Sequence, residues 1–324
     1  MLNRNIFVTG ASGFTGTWLT RRLLDLGANV FTVLSEEVPQ SPFITDRVIE
    51  RVNCIKGSIL DFDLIVRTIR DCEVDTVFHL AAVSVEQRAQ SDPRTSFEVN
   101  VRGTYYLLEA CRIHTKRMMA VVVASSDKVY GDSSQLPYTE ELPVQGAYPY
   151  DCSKSCADLI ARCYHRSYGL PVVIARFANI YGGGDLNWNR LIPNTIRRLV
   201  THEPPIIRSP RGKIQYERDF LYVEDQVRAY LALMDAMSHP GIAGQAFNFG
   251  MGARIPVPVV VSKIQRIMNA EDIAPIYEHS DHGEILHQQL SWEKAKNELG
   301  WASAFTFDEG LAQTIAWYRR FLHA

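Results

Sequence analysis

The sequence predicts an α/β protein: a doubly wound parallel sheet with a smaller α/β lobe at its C-terminal side. Three observations lead there. Short apolar runs without polar alternation recur through the first half, stretches with helical spacing separate them, and this regularity breaks near residue 178. Continuous apolar strands belong to a sheet covered on both faces, and strand–helix alternation makes neighbouring strands parallel.

Residues 5–9 form an apolar run that ends at Gly10. Residues 15–26 place Trp18, Leu19, Leu23 and Leu24 on one side of a helix, which Gly27 stops. Residues 30–34 read as a second strand, 51–55 as a weaker third, 64–69 as helix and 76–80 as a buried strand. A long helix over 93–113, a strand over 118–124, a helix over 151–168 and a strand over 171–177 follow. Gly182-Gly183-Gly184 and Pro204-Pro205 then punctuate loops, and helical stretches fall near 190–201, 224–237, 257–269, 292–299 and 308–322. The expected division is a sheet domain over 1–178, rejoined by part of 220–250, and a binding lobe over 179–324, with no Ser/Gly-rich linker between them. Trp292, Trp301 and Trp317 read as core.

Lys and Arg number 34 against 36 Asp and Glu, for a net charge of −2, and 46% of residues are hydrophobic. A disordered chain would be poorer in apolar residues, and a nucleic-acid binder would carry a basic excess. The longest clean apolar run, 118–124, has the length of a strand, well short of the ~20 residues of a membrane helix. Because 5–9 already reads as a buried strand, no secretory signal is expected. Six cysteines (54, 72, 111, 152, 156 and 163) form no CxxC pair and no zinc-type spacing, so cytoplasmic thiols are expected and no metal site.

Residues 9–16 read Thr-Gly-Ala-Ser-Gly-Phe-Thr-Gly, with Gly10, Gly13 and Gly16 three apart between the first strand and first helix. Such a turn lets a pyrophosphate approach the main chain, and the helix N-terminus offers free N–H groups. A dinucleotide cofactor is implied, and with it a Rossmann-type sheet. At the end of the second strand, where an acid ordinarily meets the ribose, stand Ser35 and Glu36; either takes that role, or both are solvated. No Arg or Lys lies in 34–40 to meet a 2′-phosphate, which favours NAD over NADP. Asp61 reads equally as an adenine contact or as the N-cap of the next helix.

Tyr150 and Lys154 form a Tyr-x-x-x-Lys pair on one helical face. A free tyrosine titrates near ~10, and a neighbouring ammonium together with a nicotinamide cation would favour its phenolate. His79 ends a buried strand and reads as a structural residue orienting the cofactor loop.

The glycine loop, His79-Leu80-Ala81-Ala82, Asn100, Ser126, Tyr150 and Lys154 together resemble an extended short-chain dehydrogenase/reductase acting on nucleotide sugars, over essentially the whole chain. The resemblance implies that Ser126 polarises the sugar oxygen at C4, Tyr150 takes its proton, NAD⁺ takes the C4 hydride and Lys154 holds the nicotinamide ribose. It implies cofactor contacts at Gly10, Gly13, Phe14, Thr15, Gly16, Ser35, Asp61, Leu80, Ala81, Ala82 and Asn100. Simple epimerases of this family carry small neutral residues after the Ser or Thr. Ser126-Asp127-Lys128 instead resembles the 4,6-dehydratases, whose pair is Asp-Glu or Asp-Lys. Oxidation at C4 acidifies the C5 hydrogen, so a base must take that proton while an acid protonates the departing C6 hydroxyl. Lys128 is the expected base and Asp127 the expected acid. Both need shifted titration, away from references of ~10.4 and ~3.9.

Four features resemble the CDP-glucose 4,6-dehydratase branch: Lys128 itself, the opening Gly13 to Leu19, Gly182-Gly183-Gly184-Asp185 with Arg190-Leu191-Ile192-Pro193, and the tail Glu298-Leu299-Gly300-Trp301. Thr15 and Leu186 depart from that pattern, and Asp281 and His287 stand where many relatives carry arginines. Arg218, Arg190 and Asn179 are the expected contacts to the substrate diphosphate, and Arg208, Arg211 and Lys213 cluster nearby. The rival readings are a 4-epimerase, a variant dehydratase that stops at an unsaturated product, and a non-catalytic dinucleotide-binding fold-mate. The resemblance implies a homodimer, in which the helices over 94–113 and 151–168 would pair across a two-fold axis, unless the sheet uses up their apolar stripes.

Overall fold

In the computed structural model, residues 4–209, 215–279 and 285–323 are described. Arg211, Lys213 and Asp281 fall outside them. The first half runs β1 (Asn5–Thr9), α1 (Phe14–Asp25), β2 (Asn29–Leu34), α2 (Pro42–Thr45), β3 (Asn53–Lys56), α3 (Phe62–Asp71) and β4 (Thr76–His79). It continues through α4 (Glu86–Ser91), α5 (Pro93–Phe97), α6 (Gly103–Ile113), β5 (Ala120–Ser126), α7 (Pro149–Tyr168) and β6 (Val172–Phe177). The remainder runs β7 (Asn179–Tyr181), α8 (Leu191–Val200), β8 (Ile206–Ser209), β9 (Glu217–Arg218), β10 (Phe220–Tyr222), α9 (Val223–Ala236) and β11 (Ala246–Phe249). The last elements are β12 (Ile255–Pro256), α10 (Val257–Met268), β13 (Ile276–His279), α11 (Glu293–Leu299) and α12 (Phe307–Phe321).

Seven parallel strands form one sheet in the order β11-β6-β5-β4-β1-β2-β3. Side chains alternate across it. Ile6, Val8, Val122, Val173 and Ala175 face a core shared with α1 and α9, while Phe7, Val121, Val123, Val172 and Ile174 face one shared with α3, α6 and α7. Both faces are covered, which explains why these strands read as unbroken apolar runs. α9 and β11 come from the second half of the chain yet belong to this sheet layer. A separate core gathers Tyr181, Ile192, Ile196, Val260, Ile264, Leu311 and Ile315 from α8, α10, α12 and β7.

Strand order reverses between β1 and β4, whose last residues, Thr9 and His79, pair in register. A crevice opens at the carboxyl ends of strands at such a switch point. The long helix expected over 93–113 is interrupted by a π-helical turn, Glu98–Arg102. Asn100 sits in it, fully committed: its amide donates to the Val83 carbonyl and to Ser153 Oγ, and its oxygen accepts from the Val83 N–H. That inward pull clamps the loop after β4 to α7, a local reason for the irregular turn. No helix among the described residues is long and apolar enough to cross a membrane.

Candidate active site

The glycine turn is built by close approach. Gly10 has φ +73°, and a Cβ there would lie 2.8 Å from the Ala81 nitrogen. A Cβ on Gly16 would sit 2.0 Å from the Gly10 carbonyl oxygen, so neither position admits a side chain without moving backbone. α1 starts directly afterwards, its first N–H groups aimed into the turn. The opposing wall is held by His79. Its Nδ1 meets Thr9 Oγ1 (2.8 Å) and its Nε2 meets Thr104 Oγ1 (2.9 Å). Thr104 donates to the Asn100 carbonyl, so it accepts from Nε2–H, and the ring is neutral. Burial holds the imidazole down to about 3, with Lys154 adding to the effect. Thr9 Oγ1 in turn accepts from the Ala81 N–H (3.2 Å). His79 therefore orients the loop and is no base.

A cleft of about 810 Å³ runs from this turn across the sheet edge. Gly10, Gly13, Phe14, Thr15, Gly16, Ser35, Leu80, Ala81 and Ala82 line it, together with Ser126, Asp127, Lys128, Tyr150 and Lys154. Asn179, Arg190 and Arg218 line it too. Two expected cofactor contacts stand elsewhere. Asn100 lies behind the wall, as described above. Asp61 is the N-cap of α3, accepting from the Leu64 N–H at 2.9 Å, while Ser58 and Ile59 form the cleft lip beside it. Of the two readings of Asp61, the cap is what the geometry displays.

The catalytic turn is fixed from below. β5 ends at Ser126, whose hydroxyl caps a 3-10 turn over Asp127–Tyr130 by accepting from the Lys128 N–H (3.3 Å). Tyr130 anchors that turn. Its buried hydroxyl donates to Asn248 Oδ1 on β11 (2.7 Å) and accepts from Arg176 on β6 (2.7 Å), whose guanidinium is bidentate to Asp158. Both ions of that last pair are fully buried, so each satisfies a charge that would otherwise be stranded.

Asp127 is buried, with Ser126 Oγ donating to Oδ1 (3.0 Å) and Gln288 Nε2 donating to Oδ2 (3.0 Å). Burial lifts its carboxyl to about 6 against the opposing pull of Lys128, Ser126 and Arg218. Lys128 is buried too, and its Nζ meets Glu86 Oε1 at 3.0 Å, from the first residue of α4. Asp151, the residue after Tyr150, is buried beside the same amine, and burial lifts it to about 7.

Pro149 opens α7, so Tyr150 and Lys154 stand on its first turn and a half. Lys154 donates to the Ala124 carbonyl (3.1 Å), and burial lowers it to about 8. The Tyr150 phenol is raised, chiefly by burial and next by Glu86; Arg190 and a hydrogen bond with Ser126 act the other way.

The triple glycine has a packing reason. Cβ atoms on Gly182 and Gly183 would strike Val223 and the Trp317 ring, and Trp18 donates to the Gly183 carbonyl (2.8 Å). This places Asp185, which pairs with Arg190 at 2.9 Å. Arg218 donates to the Glu217 and Leu286 carbonyls and lies over the Tyr216 ring (4.8 Å). Arg208 is an exposed partner of Glu278 at the cleft edge. Glu86 and Gln288 escaped the sequence reading because both reach the site from distant segments with no spacing signal. Asp151 was visible, one residue past Tyr150.

Known proteins are similar to this chain over nearly its whole length. The chain is 33% identical over 342 residues to a dTDP-glucose 4,6-dehydratase of Haemophilus influenzae, covering 97% of each chain. It is 28% identical over 335 residues to a CDP-glucose 4,6-dehydratase of Salmonella typhimurium, covering 98% of this chain and 91% of the relative. Among solved structures, UDP-glucose 4-epimerase of Thermotoga maritima superposes with a TM-score of 0.88 at 25% identity, covering 98% of this chain and 99% of that one. A dTDP-glucose 4,6-dehydratase of Streptomyces venezuelae, solved with NAD bound, superposes with a TM-score of 0.87 at 29% identity, covering 98% and 97%. Residues 7–314 match the family described as GDP-mannose 4,6 dehydratase, and the chain belongs to that family, among the extended short-chain dehydrogenase/reductases that act on sugar nucleotides.

Proposed function

We propose that this chain is an NAD-dependent lyase that removes water across C5 and C6 of a nucleoside-diphosphate hexose, with CDP-glucose or a related hexose as substrate. The observation that carries the reading is the buried Asp127–Lys128 pair in the cleft, beside Ser126, Tyr150 and Lys154, with the acid lifted to about 6.

The turn at Gly10, Gly13 and Gly16 and the start of α1 fit a dinucleotide pyrophosphate, Ser35 and Glu36 fit its ribose, and Lys154 fits the nicotinamide ribose. Bound there, NAD supplies the acceptor for the C4 hydride and its return to C6. The chain's own residues move the protons. Ser126 holds the C4 oxygen and Tyr150 takes its proton, leaving a ketone. Lys128 takes the C5 proton, the C5–H pair becomes the C5–C6 double bond, and the C6–O bond breaks. Asp127 gives its proton to the departing oxygen, so water leaves. Lys128 would give its proton back to C5, and with the hydride that the bound cofactor would supply at C6 the product would be a 4-keto-6-deoxy sugar. Arg190 and Arg218 face the substrate diphosphate, with Asn179 beside them.

Superposition on a 4-epimerase favours a second reading, oxidation at C4 with the hydride returned to the other face. Epimerisation needs neither a C5 base nor a C6 acid, so Asp127 and Lys128 speak for elimination. The experiment is turnover of a panel of CDP-, dTDP-, UDP- and GDP-hexoses, read by product mass. Loss of one water from a panel member supports the lyase. A product of unchanged mass with C4 inverted overturns it. An intermediate that accumulates as an unsaturated ketone marks the variant that stops before hydride return, and no turnover with any member favours a non-catalytic fold-mate.

The division of labour follows: residues 1–178, with α9 and β11, serve the cofactor, and most of 179–324 serves the sugar nucleotide. A homodimer across α6 and α7 is supported by Tyr105 and Leu159, apolar and exposed on those adjacent helices. Light scattering on the purified chain tests it. A cytoplasmic setting is supported by six unpaired cysteines, and a small-molecule partner rather than nucleic acid by the balanced charge.

A further inference from the structure

Gln288 is a buried amide whose one side-chain partner among the described residues is Asp127. Its Nε2 donates to Asp127 Oδ2 at 3.0 Å, while its buried Oε1 has no hydrogen bond among them. A polar group held in this way is disfavoured relative to an apolar residue of the same shape, so its retention points to use. The backbone around it is held firmly. The Gln288 N–H donates to the Glu217 carbonyl (3.1 Å), the Tyr138 N–H to the Gln289 carbonyl (2.7 Å) and the Leu290 N–H to Asp219 Oδ2 (3.1 Å). Tyr138 Oη also donates to the His287 carbonyl (3.2 Å). Two segments, one at Tyr138 and one at Glu217–Asp219, thus hold the backbone that carries Gln288. Gln288 itself is absent from the cleft lining, so it reaches the reaction only through Asp127.

We infer that Gln288 is a positioning residue that decides which oxygen of Asp127 carries the acid proton. A carboxyl has two places for its proton. With an N–H donor on Oδ2, a proton there would meet a hydrogen already aimed at it, so the proton goes to Oδ1. That is the oxygen beside Ser126, itself a cleft-lining residue, where a departing C6 hydroxyl would receive it. Ser126 Oγ donates to Oδ1 in the structure, and turning that hydroxyl to the sugar oxygen frees Oδ1 for the proton. The charged and titratable groups facing Asp127 are Lys128 on its own turn, Glu86 on α4, Tyr138, Tyr150 and Asp151 at the start of α7, and Arg218 and Asp219 around β9.

The inference rests on the proposed dehydration, and the test separates the two. Wild type, Gln288→Leu and Gln288→Glu are compared as holoenzymes in single turnover with an accepted nucleotide hexose. Absorbance of the reduced cofactor reads C4 oxidation, and mass spectrometry reads water loss across a pH series. Leu removes the donor, so water loss slows by about tenfold or more while C4 oxidation stays within about twofold. A donor on the carboxylate favours its ionised form, so removing it raises the acid's titration, and the limb on which water loss falls with rising pH moves to higher pH. If Gln288→Leu does not fold, Gln288→Glu, of equal length, carries the test: its extra carboxylate moves the same limb upward too. Water loss with wild-type rate and an unmoved limb in a folded variant overturns the inference and leaves the dehydration standing. A wild-type enzyme that loses no water from any hexose overturns the dehydration, and this inference with it.

Discussion

An acid that protonates a leaving hydroxyl must hold a proton near neutral pH, and at Asp127 burial does this, lifting the carboxyl to about 6. The group is protonated below that value and ionised above it, so water loss should fall as pH rises through about 6, with C4 oxidation lacking that limb. Asp127→Asn should slow water loss by about a hundredfold while the transient absorbance of reduced cofactor persists; water loss at the wild-type rate would assign the acid elsewhere. Lys128→Ala should still oxidise C4 but lose exchange of the C5 hydrogen with solvent, and normal exchange would move the base to Glu86 or Asp151, the two carboxyls around that amine. Tyr150→Phe should suppress reduction of the cofactor itself, since it removes the cleft-lining oxygen that, once ionised, takes the C4 hydroxyl proton. Ser126, Asp127 and Lys128 were legible through their resemblance to the family's motif, and Tyr150 and Lys154 through a helical spacing that the same resemblance makes specific. Gln288 and Glu86 were not, because 161 residues separate Gln288 from Asp127 and only tertiary folding joins them.

At the scale of elements, the strands that read most clearly are those buried on both faces, where every side chain must be apolar. β5 and β6 pair along six residues, and the first four pairs, Val121 to Ala124 against Val172 to Ala175, are all apolar. What escaped were two-to-four-residue pieces such as β7, β9 and β12, too short for a period to show, and the π turn, which Asn100 imposes through a long-range bond to Ser153. Thr15, which departs from the CDP-glucose pattern, still lines the cleft in the first turn of α1, so the loop keeps its geometry with a shorter side chain. Gly16→Ala is the sharpest test of that loop. Its Cβ would lie 2.0 Å from the Gly10 carbonyl oxygen, so backbone must shift. A stability loss of about 1–3 kcal/mol by urea unfolding is expected, together with weakened NAD binding by titration calorimetry. Unchanged affinity would show that the pyrophosphate does not rest on this turn.

For the whole molecule, the near-neutral charge conceals a site that buries acid. Asp127, Asp151 and Asp219 are lifted by burial to about 6, 7 and 7, above the ~3.9 of an unfolded chain. Groups raised in the folded state favour folding below their unfolded value, and that contribution is lost as pH rises through the folded one. The cofactor-free protein should therefore lose Tm between about pH 4 and pH 7 from these groups, and Asp151→Asn should raise Tm at pH 8 while changing it little at pH 4. A variant with the wild-type Tm at both values would show that Asp151 is not held in a desolvated site. The second core, the glycine-rich cofactor turn and the catalytic turn on β5 all converge on one cleft, and that convergence makes water loss the central claim. Its most direct measurement is turnover of an accepted nucleotide hexose in D₂O, read by mass spectrometry. The account predicts a product lighter by one water, with deuterium at C5. A product that has lost no water, carries no deuterium at C5 and is inverted at C4 would contradict it.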